Sequence, residues 1–282
     1  MLSWKKRFRR SLFSSFYILS FLCVANLIQL KKIKIGAVSY LNTKPFIYGM
    51  QGEDFLNSHE LLLAYPSKLS GMLAAGELDV ALVPAALLTE LKSYNILTNY
   101  CIGANKEVGS VCVFSEKPLN QVKRIYLDYQ SKSSVALLKV LLLHFWKIEI
   151  PFVTSHDDAY INEIGNESAG LVIGDRALHI GDRFAYRYDL AEVWNEMTGL
   201  PFVFAVWVSL KPMDENWINQ FSGFIEIGLE HIDEIAAGHE NEFSGIRKYY
   251  NENISYRLTD KHREGLSLFC KLLSEFPPTE NI

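Results

Sequence analysis

From residue 32 onward, short apolar runs with strand character alternate with segments whose apolar positions recur every three or four residues. "KIKIGAVS" (32–39), "HELLLAY" (59–65) and "LDVALVP" (78–84) read as strands. "PFIYGM" (45–50) starts a helix, with Pro45 suited to its first turn. In "PSKLSGMLAAGE" (66–77) Leu69, Met72 and Leu73 keep helical spacing; Ser67 is the expected N-cap and Gly76 the stop. Pro84 opens a further helix over "AALLTELKSY" (85–94). This β-α-β-α-β-α order predicts a parallel sheet with right-handed crossovers.

A second series comes next. "GSVCVFS" (109–115) and "VKRIYLDY" (122–129) are extended, and "SKSSVALLKVLLLHFW" (131–146) is a helix apolar nearly all round, hence buried. "SAGLVIGDRALHI" (168–180) is strand, turn and helix; "LPFVFAVWVSL" (200–210) is a long apolar strand. Two amphipathic helices, 216–238 and 259–276, complete the chain. No linker separates the two series, so strands near 108–114 and 203–209 are expected to pass directly between two α/β lobes. The boundaries this implies are residues 31–108 plus 209–282 for the first lobe and 109–208 for the second. Such a layout opens a cleft where strand ends and helix starts converge.

Length and composition agree with this picture. The 282 residues suffice for one large domain or two medium lobes, each with its own core. Charged residues at 21% and hydrophobic ones at 49% are those of a globular protein, and a net charge of -4 without a basic patch argues against nucleic acid. Of the four cysteines Cys23 falls in the first thirty residues, and the three in the body, Cys101, Cys112 and Cys270, an odd set without CxxC spacing, point to reduced thiols rather than a disulfide framework or a zinc site. Residues 1–30 stand apart: "WKKRFRR" precedes about twenty mostly apolar residues. They read as a signal peptide or membrane anchor over residues 1–25, or as a start placed too far upstream, and lie outside the fold.

Four turns would face the cleft. "SYLNTKP" supplies Ser39, Tyr40, Asn42, Thr43 and Lys44, an amide, hydroxyls and an ammonium at a helix start that favours anions; Asn42 or Thr43 as a simple cap is the bland alternative. "YQSKSS" supplies Ser131, Ser133 and Ser134, of which an N-cap accounts for one. Gly109 lets backbone approach a ligand and Ser110 can donate to a carboxylate. In "IGDRAL", Gly174 precedes Asp175, which serves either as an acid/base group or as the cap of its helix. The seven histidines show no metal spacing, and His179 reads as surface or packing; "HDD" (156–158) reads as a solvated loop. No GxSxG, Walker or GxGxxG motif occurs, so neither a nucleophile nor a metal organises the cleft.

The segments "IGAVSYLNTKPFIYG", "GSVCVFS", "SSVALLKVLL", "IGDRAL" and "YDLAEVWNEMTGLPFVFAVWV" together resemble the MqnA family, the chorismate dehydratases of the futalosine route to menaquinone, over residues 33–270. The resemblance implies a type II periplasmic-binding-protein fold used as a cytoplasmic enzyme, without cofactor or metal. It implies chorismate as the small-molecule partner, with a membrane involved only if residues 1–30 anchor the chain. It marks Asn42 as the residue most tied to activity, with Asp175 or Tyr40 as alternative proton carriers and Ser110, Ser133 and Ser134 as carboxylate clamps. Ala85 and Ala86 stand where some members carry a substrate-associated serine, and the extension over residues 1–30 is atypical. The competing expectation is a periplasmic solute-binding protein for a small anion. The related dihydroxynaphthoate synthase ranks lower, because it expects a cleft histidine.

Overall fold

A computed structural model describes residues 32–276. The chain divides into two units, Met1–Lys32 and Ile33–Ile282, and the second contains every described helix and strand. The extension expected over residues 1–30 lies outside the described residues. Among the described residues no helix is long and apolar enough to cross a membrane.

The strands are β1 (Ile33–Val38), β2 (His59–Ala64), β3 (Val80–Pro84), β4 (Asn95–Ala104), β5 (Val111–Ser115), β6 (Arg124–Leu127), β7 (Phe152–Thr154), β8 (Ser168–Ile173), β9 (Tyr186–Asp189), β10 (Phe202–Ser209) and β11 (Ser255–Arg257). Among the described residues they form two sheets, ordered β11-β4-β10-β3-β1-β2 and β7-β6-β8-β5-β9. β1 pairs in parallel with β2 and β3, and β6 with β7 and β8, as the strand–helix alternation predicts. Neither sheet is wholly parallel, however. β10 runs antiparallel to β3 and β4, and β5 antiparallel to β8 and β9.

These antiparallel strands come after the two crossings, past Ala104 and before Phe202, and enter their sheets from the opposite end. β10 therefore lies in the sheet of β1, and the expected second-lobe boundary at residue 208 falls inside a strand of the first sheet. Nor does each lobe keep a separate core. One apolar cluster runs from Ile35 and Val83 through Leu137 and Leu141 to Phe202, Trp207 and Phe269. A small second cluster, including Phe114, Tyr160 and Val172, packs apart from it.

Local chemistry explains most elements. Helix Pro66–Ala74 starts on Pro66 with Tyr65 at the cap position, so the expected cap at Ser67 lies inside the first turn instead. The helix stops at Gly76, where φ is +72°, with Gly76 N–H donating to Leu73 O and Glu77 N–H to Met72 O, the paired bonds of a glycine-terminated helix. The helix expected over 85–94 is only a tight turn, Ala85–Thr89. Beyond Leu88 every residue except Leu91 is exposed to 94, so no buried stripe sustains it. The helix expected over 216–238 breaks at His231 into Glu215–Glu230 and Ile232–His239.

Helix Lys44–Tyr48, which carries the "SYLNTKP" turn, is pressed against helix Glu215–Glu230 at two glycines. A Cβ on Gly49 would sit 1.8 Å from Phe224 O, and one on Gly228 1.6 Å from Pro45 O. Backbone meets backbone there, which only glycine allows.

Candidate functional site

β1 delivers the first turn to the mouth between the sheets. Tyr40 is extended, residues Leu41–Thr43 form one tight helical turn, and helix Lys44–Tyr48 continues from it with Pro45 in its first turn. Neither Asn42 nor Thr43 caps the helix through its side chain. Instead the Thr43 hydroxyl, fully buried, donates to Asn42 Oδ1 at 3.0 Å. With five residues this helix is too short to gather anions through its dipole, so anion affinity here rests on side chains.

The opposite sheet closes on this turn at two points. The Tyr40 hydroxyl donates to Gln130 Oε1 in the turn after β6. Leu41 N–H donates to Asp175 Oδ1 at 3.1 Å in the turn after β8. The Tyr40 ring lies over Gly174, 3.5 Å from where a Cβ would stand, an ordinary contact; it is the backbone, with φ of +64°, that favours glycine there. Burial pushes the Tyr40 hydroxyl well above the usual phenol range.

Below Gln130 a buried pair braces the second sheet. Arg176 Nη2 lies 2.8 Å from Asp128 Oδ2. Asp128 also accepts from Gln130 N–H, Ile173 N–H and the Tyr160 hydroxyl. Arg176 stacks on Tyr129, 5.4 Å from its ring centre. These contacts aim Gln130 and Gly174 at Tyr40.

The three serines after β6 have three different tasks. Ser131 is the N-cap of helix Lys132–Leu141, its Oγ accepting from Ser134 N–H at 3.2 Å and lying 2.9 Å from Ser134 Oγ. Ser133 turns away and accepts from Ala86 N–H at 3.0 Å in the interior. A clamp role for Ser133 is thus displaced by a structural one. Ser133→Ala is expected to leave that buried N–H unpaired and cost about 1–3 kcal/mol in denaturant unfolding, with ligand affinity unchanged; a loss of affinity at unchanged stability would contradict this.

At the first crossing, Gly109 has φ of +76° and gives its N–H to Asp189 Oδ2 at 2.6 Å. Asp189 also accepts from Val108 N–H at 3.1 Å and, as N-cap of helix Leu190–Thr198, from Ala191 and Glu192 N–H. Ser110, 2% exposed, receives the Tyr249 hydroxyl on its Oγ at 2.9 Å. Burial pushes the Tyr249 hydroxyl well above the usual phenol range, against the opposing pull of Ser110 and, more weakly, Asn42. Tyr249 and Gln130 were missed in the sequence. Nothing in "RKYYNEN" marks a site, and only the fold joins Tyr249 to Ser110.

The resulting cleft measures about 530 Å³ counted to its open mouth. Its walls are Val38, Leu82, Ile102, Val111, Ile173 and Phe204, and its polar groups are Tyr40, Asn42, Thr43, Ser110, Ser131 and Ser134, with Gly174 beside them. Ser39, Lys44, Gly109, Ser133 and Asp175 do not line it. Ser39 is exposed at the strand end, Gly109 and Ser133 are tied to backbone partners, and Lys44 begins the helix behind. Asp175 bridges to Leu41; burial raises its carboxyl pKa, against the opposing pull of the Leu41 N–H. His179 is more than packing: its two ring nitrogens face Asp175 O at 2.5 Å and Glu242 O at 2.7 Å, contacts that raise its pKa and suit the doubly donating imidazolium.

Among the described residues no group of three or more His, Cys, Asp or Glu is placed to hold a metal. Tyr40 is the one titratable side chain among the described residues that line the cleft. A site of this kind can hold an anion with neutral donors and align it, without supplying a strong base of its own.

Two mixed α/β sheets exchanging strands around such a cleft define a two-lobed, type II periplasmic-binding-protein fold. The solved structure of protein AF1704 from Archaeoglobus fulgidus shares it with a TM-score of 0.70 and 16% identity, covering 88% of this chain and 98% of that one. The periplasmic aliphatic sulphonate binding protein of Escherichia coli does so at 0.56 and 13%, covering 87% of each. Within this class the chain belongs to the menaquinone biosynthesis family, whose model matches residues 33–275. It is 26% identical over 270 residues to the chorismate dehydratase of Thermus thermophilus, covering 85% of this chain and 94% of that protein. It is 27% identical over 244 residues to that of Campylobacter jejuni, covering 84% and 95%.

Proposed function

We propose that this protein is a chorismate dehydratase, a hydro-lyase that removes water from chorismate to give 3-[(1-carboxyvinyl)oxy]benzoate for menaquinone biosynthesis. The observation that carries the mechanism is the cleft lining: an amide and hydroxyls, with Tyr40 the one titratable group among the described residues that line it, and that one locked to Gln130. The reaction takes a proton from ring C3 and hydroxide from C4. The C3–H electron pair becomes the new ring double bond, the C4–O bond breaks, and proton and hydroxide leave as water. Aromatisation makes the step strongly downhill, so the barrier lies in removing a weakly acidic C–H.

A positioned base contributes about 10²–10⁴-fold to such a step. In this reading the base is the substrate's own enolpyruvyl carboxylate. Neutral donors suit that role, because a cation against the carboxylate would lower its proton affinity. Asn42 then fixes the carboxylate or the departing hydroxyl, and orientation alone supplies up to about 7–11 kcal/mol when geometry is near-reactive. Ser110, Ser131 and Ser134 hold the carboxylates, and the apolar walls hold the ring. Asp175 is left out of the chemistry, since its carboxylate is engaged with Leu41 away from the cleft. The same reading makes the protein a cytoplasmic enzyme.

The test is direct. The purified full chain, incubated with chorismate, is expected to yield a product lighter by one water, resolved by liquid chromatography and mass spectrometry. Chorismate bound but returned intact would replace this reading with simple ligand binding.

A further inference from the structure

A hydroxyl in a cleft wall either donates to a ligand or accepts from it, and for Tyr40 the bonds behind it decide which. Gln130, 6% exposed, is held along its length. Its backbone N–H donates to Asp128 Oδ1 at 2.9 Å, its Nε2 donates to Tyr129 Oη at 2.7 Å, and its Oε1 receives the Tyr40 hydroxyl. Tyr129 in turn donates to Asp158 Oδ1 at 3.1 Å. Asp158 is ion-paired with Arg176, whose guanidinium also reaches the buried Asp128 and lies over the Tyr129 ring.

This row of bonds has a direction, fixed at its charged end. A carboxylate paired with arginine only accepts, so the single Tyr129 proton goes to Asp158. Tyr129 Oη must then accept from Gln130, which puts the amide nitrogen at Tyr129 and the amide oxygen at Tyr40. A flipped amide would set its oxygen against a Tyr129 oxygen with no proton left to share. Because an amide oxygen only accepts, the one proton of Tyr40 is committed to Gln130. What the hydroxyl keeps is a lone pair, and among the described residues no hydrogen bond is donated to it.

We propose that Tyr40 is the group by which this cleft selects a hydroxyl: it presents an acceptor and nothing else, and Gln130 is the positioning residue that keeps it so. The ligand class is a ring acid carrying a neutral O–H donor, its carboxylate held by the amide and serine hydroxyls of the wall and its O–H by Tyr40 Oη. An ether or carboxylate oxygen set against Tyr40 meets a lone pair and is disfavoured. The inference deepens the dehydratase reading, on which the donor is the C4 hydroxyl of chorismate. That hydroxyl gives its hydrogen to Tyr40, and its oxygen stays open to the C3 proton with which it leaves as water. Tyr40 itself drops out as a proton carrier, since a proton committed to an amide oxygen has no base to pass to. The selection of a hydroxyl does not need the dehydratase reading.

The test uses a matched pair of small acids, 4-hydroxybenzoate and 4-fluorobenzoate, which differ in one ring donor. Calorimetric titration of the full chain reads the ratio of their affinities. The unaltered protein is expected to bind the hydroxy acid about fivefold or more tightly, the worth of one hydrogen bond. In Tyr40→Phe and in Gln130→Leu the ratio is expected to fall below about twofold, because the first lacks the acceptor and the second frees the Tyr40 proton. Gln130→Glu keeps an acceptor for Tyr40, so the ratio is expected to stay at about fivefold or more even though the added charge weakens both acids.

A merely structural role for Gln130 would weaken both acids by one factor and leave the ratio unchanged, which overturns the proposal. Equal affinity of the unaltered protein for the two acids, or no binding of either, overturns it as well. Should Gln130→Leu not fold, Tyr40→Phe, which keeps the ring beside Gly174, carries the same comparison. A chain that shows the preference and returns chorismate intact keeps the inference and loses the dehydratase. One that dehydrates chorismate while binding the two acids alike keeps the dehydratase and loses the inference.

Discussion

Asn42→Ala is expected to lower kcat for chorismate dehydration about 10²–10³-fold, the usual cost of deleting one donor aligned with developing charge. KM should change far less, because the amide is asked to act on the transition state rather than on the bound ground state. The structure gives reasons to expect a clean result. Asn42 is half-buried and caps no helix, so its removal leaves the Leu41–Thr43 turn intact. Thr43 loses an acceptor but, fully buried, remains anchored by its packing. Steady-state kinetics beside a thermal melt make the check. A variant whose kcat is untouched removes Asn42 from the chemistry.

A second large effect lies at the crossings. One buried carboxylate, Asp189, takes Val108 and Gly109 N–H from the first crossing and the Ala191 and Glu192 N–H of the helix that leads into the second. Arg187 stands 3.6 Å from it and is shared with Glu107. Asp189→Ala strands two crossing amides, each worth about 1–3 kcal/mol when left buried and unpaired, and removes a helix cap worth about 1 kcal/mol. The summed loss is expected to exceed about 3 kcal/mol, read as a fall in denaturant midpoint at unchanged slope. A loss below about 1 kcal/mol would mean that water or a shifted backbone takes over the carboxylate's bonds.

Much of the scaffold was legible because local rules and tertiary demands agree. The strand–turn–helix of "SYLNTKP", the stop at Gly76 and the buried helix after Ser131 all come from patterns a few residues long. The mixed sheets did not, since a strand's direction depends on where the chain re-enters after crossing, and no local pattern records that. β4 went unread because Asn95, Thr98 and Asn99 interrupt its apolar run, although most of the strand is buried. The serine cluster was half legible. Ser131 and Ser134 are three apart and share a helix face, while Ser133 lies on another, and that periodicity already separates cleft groups from a core group. Gln130 and Tyr249 were beyond reach, since their meaning comes from partners 90 and 139 residues away.

Two of the bonds between the lobes, Tyr40 to Gln130 and Leu41 to Asp175, both end on the segment holding Asn42. What holds the sheets together at this mouth thus also fixes where Asn42 stands. On the dehydratase reading, a diacid whose bulk keeps Tyr40 from Gln130 is expected to leave Asn42 misplaced and to be released unchanged.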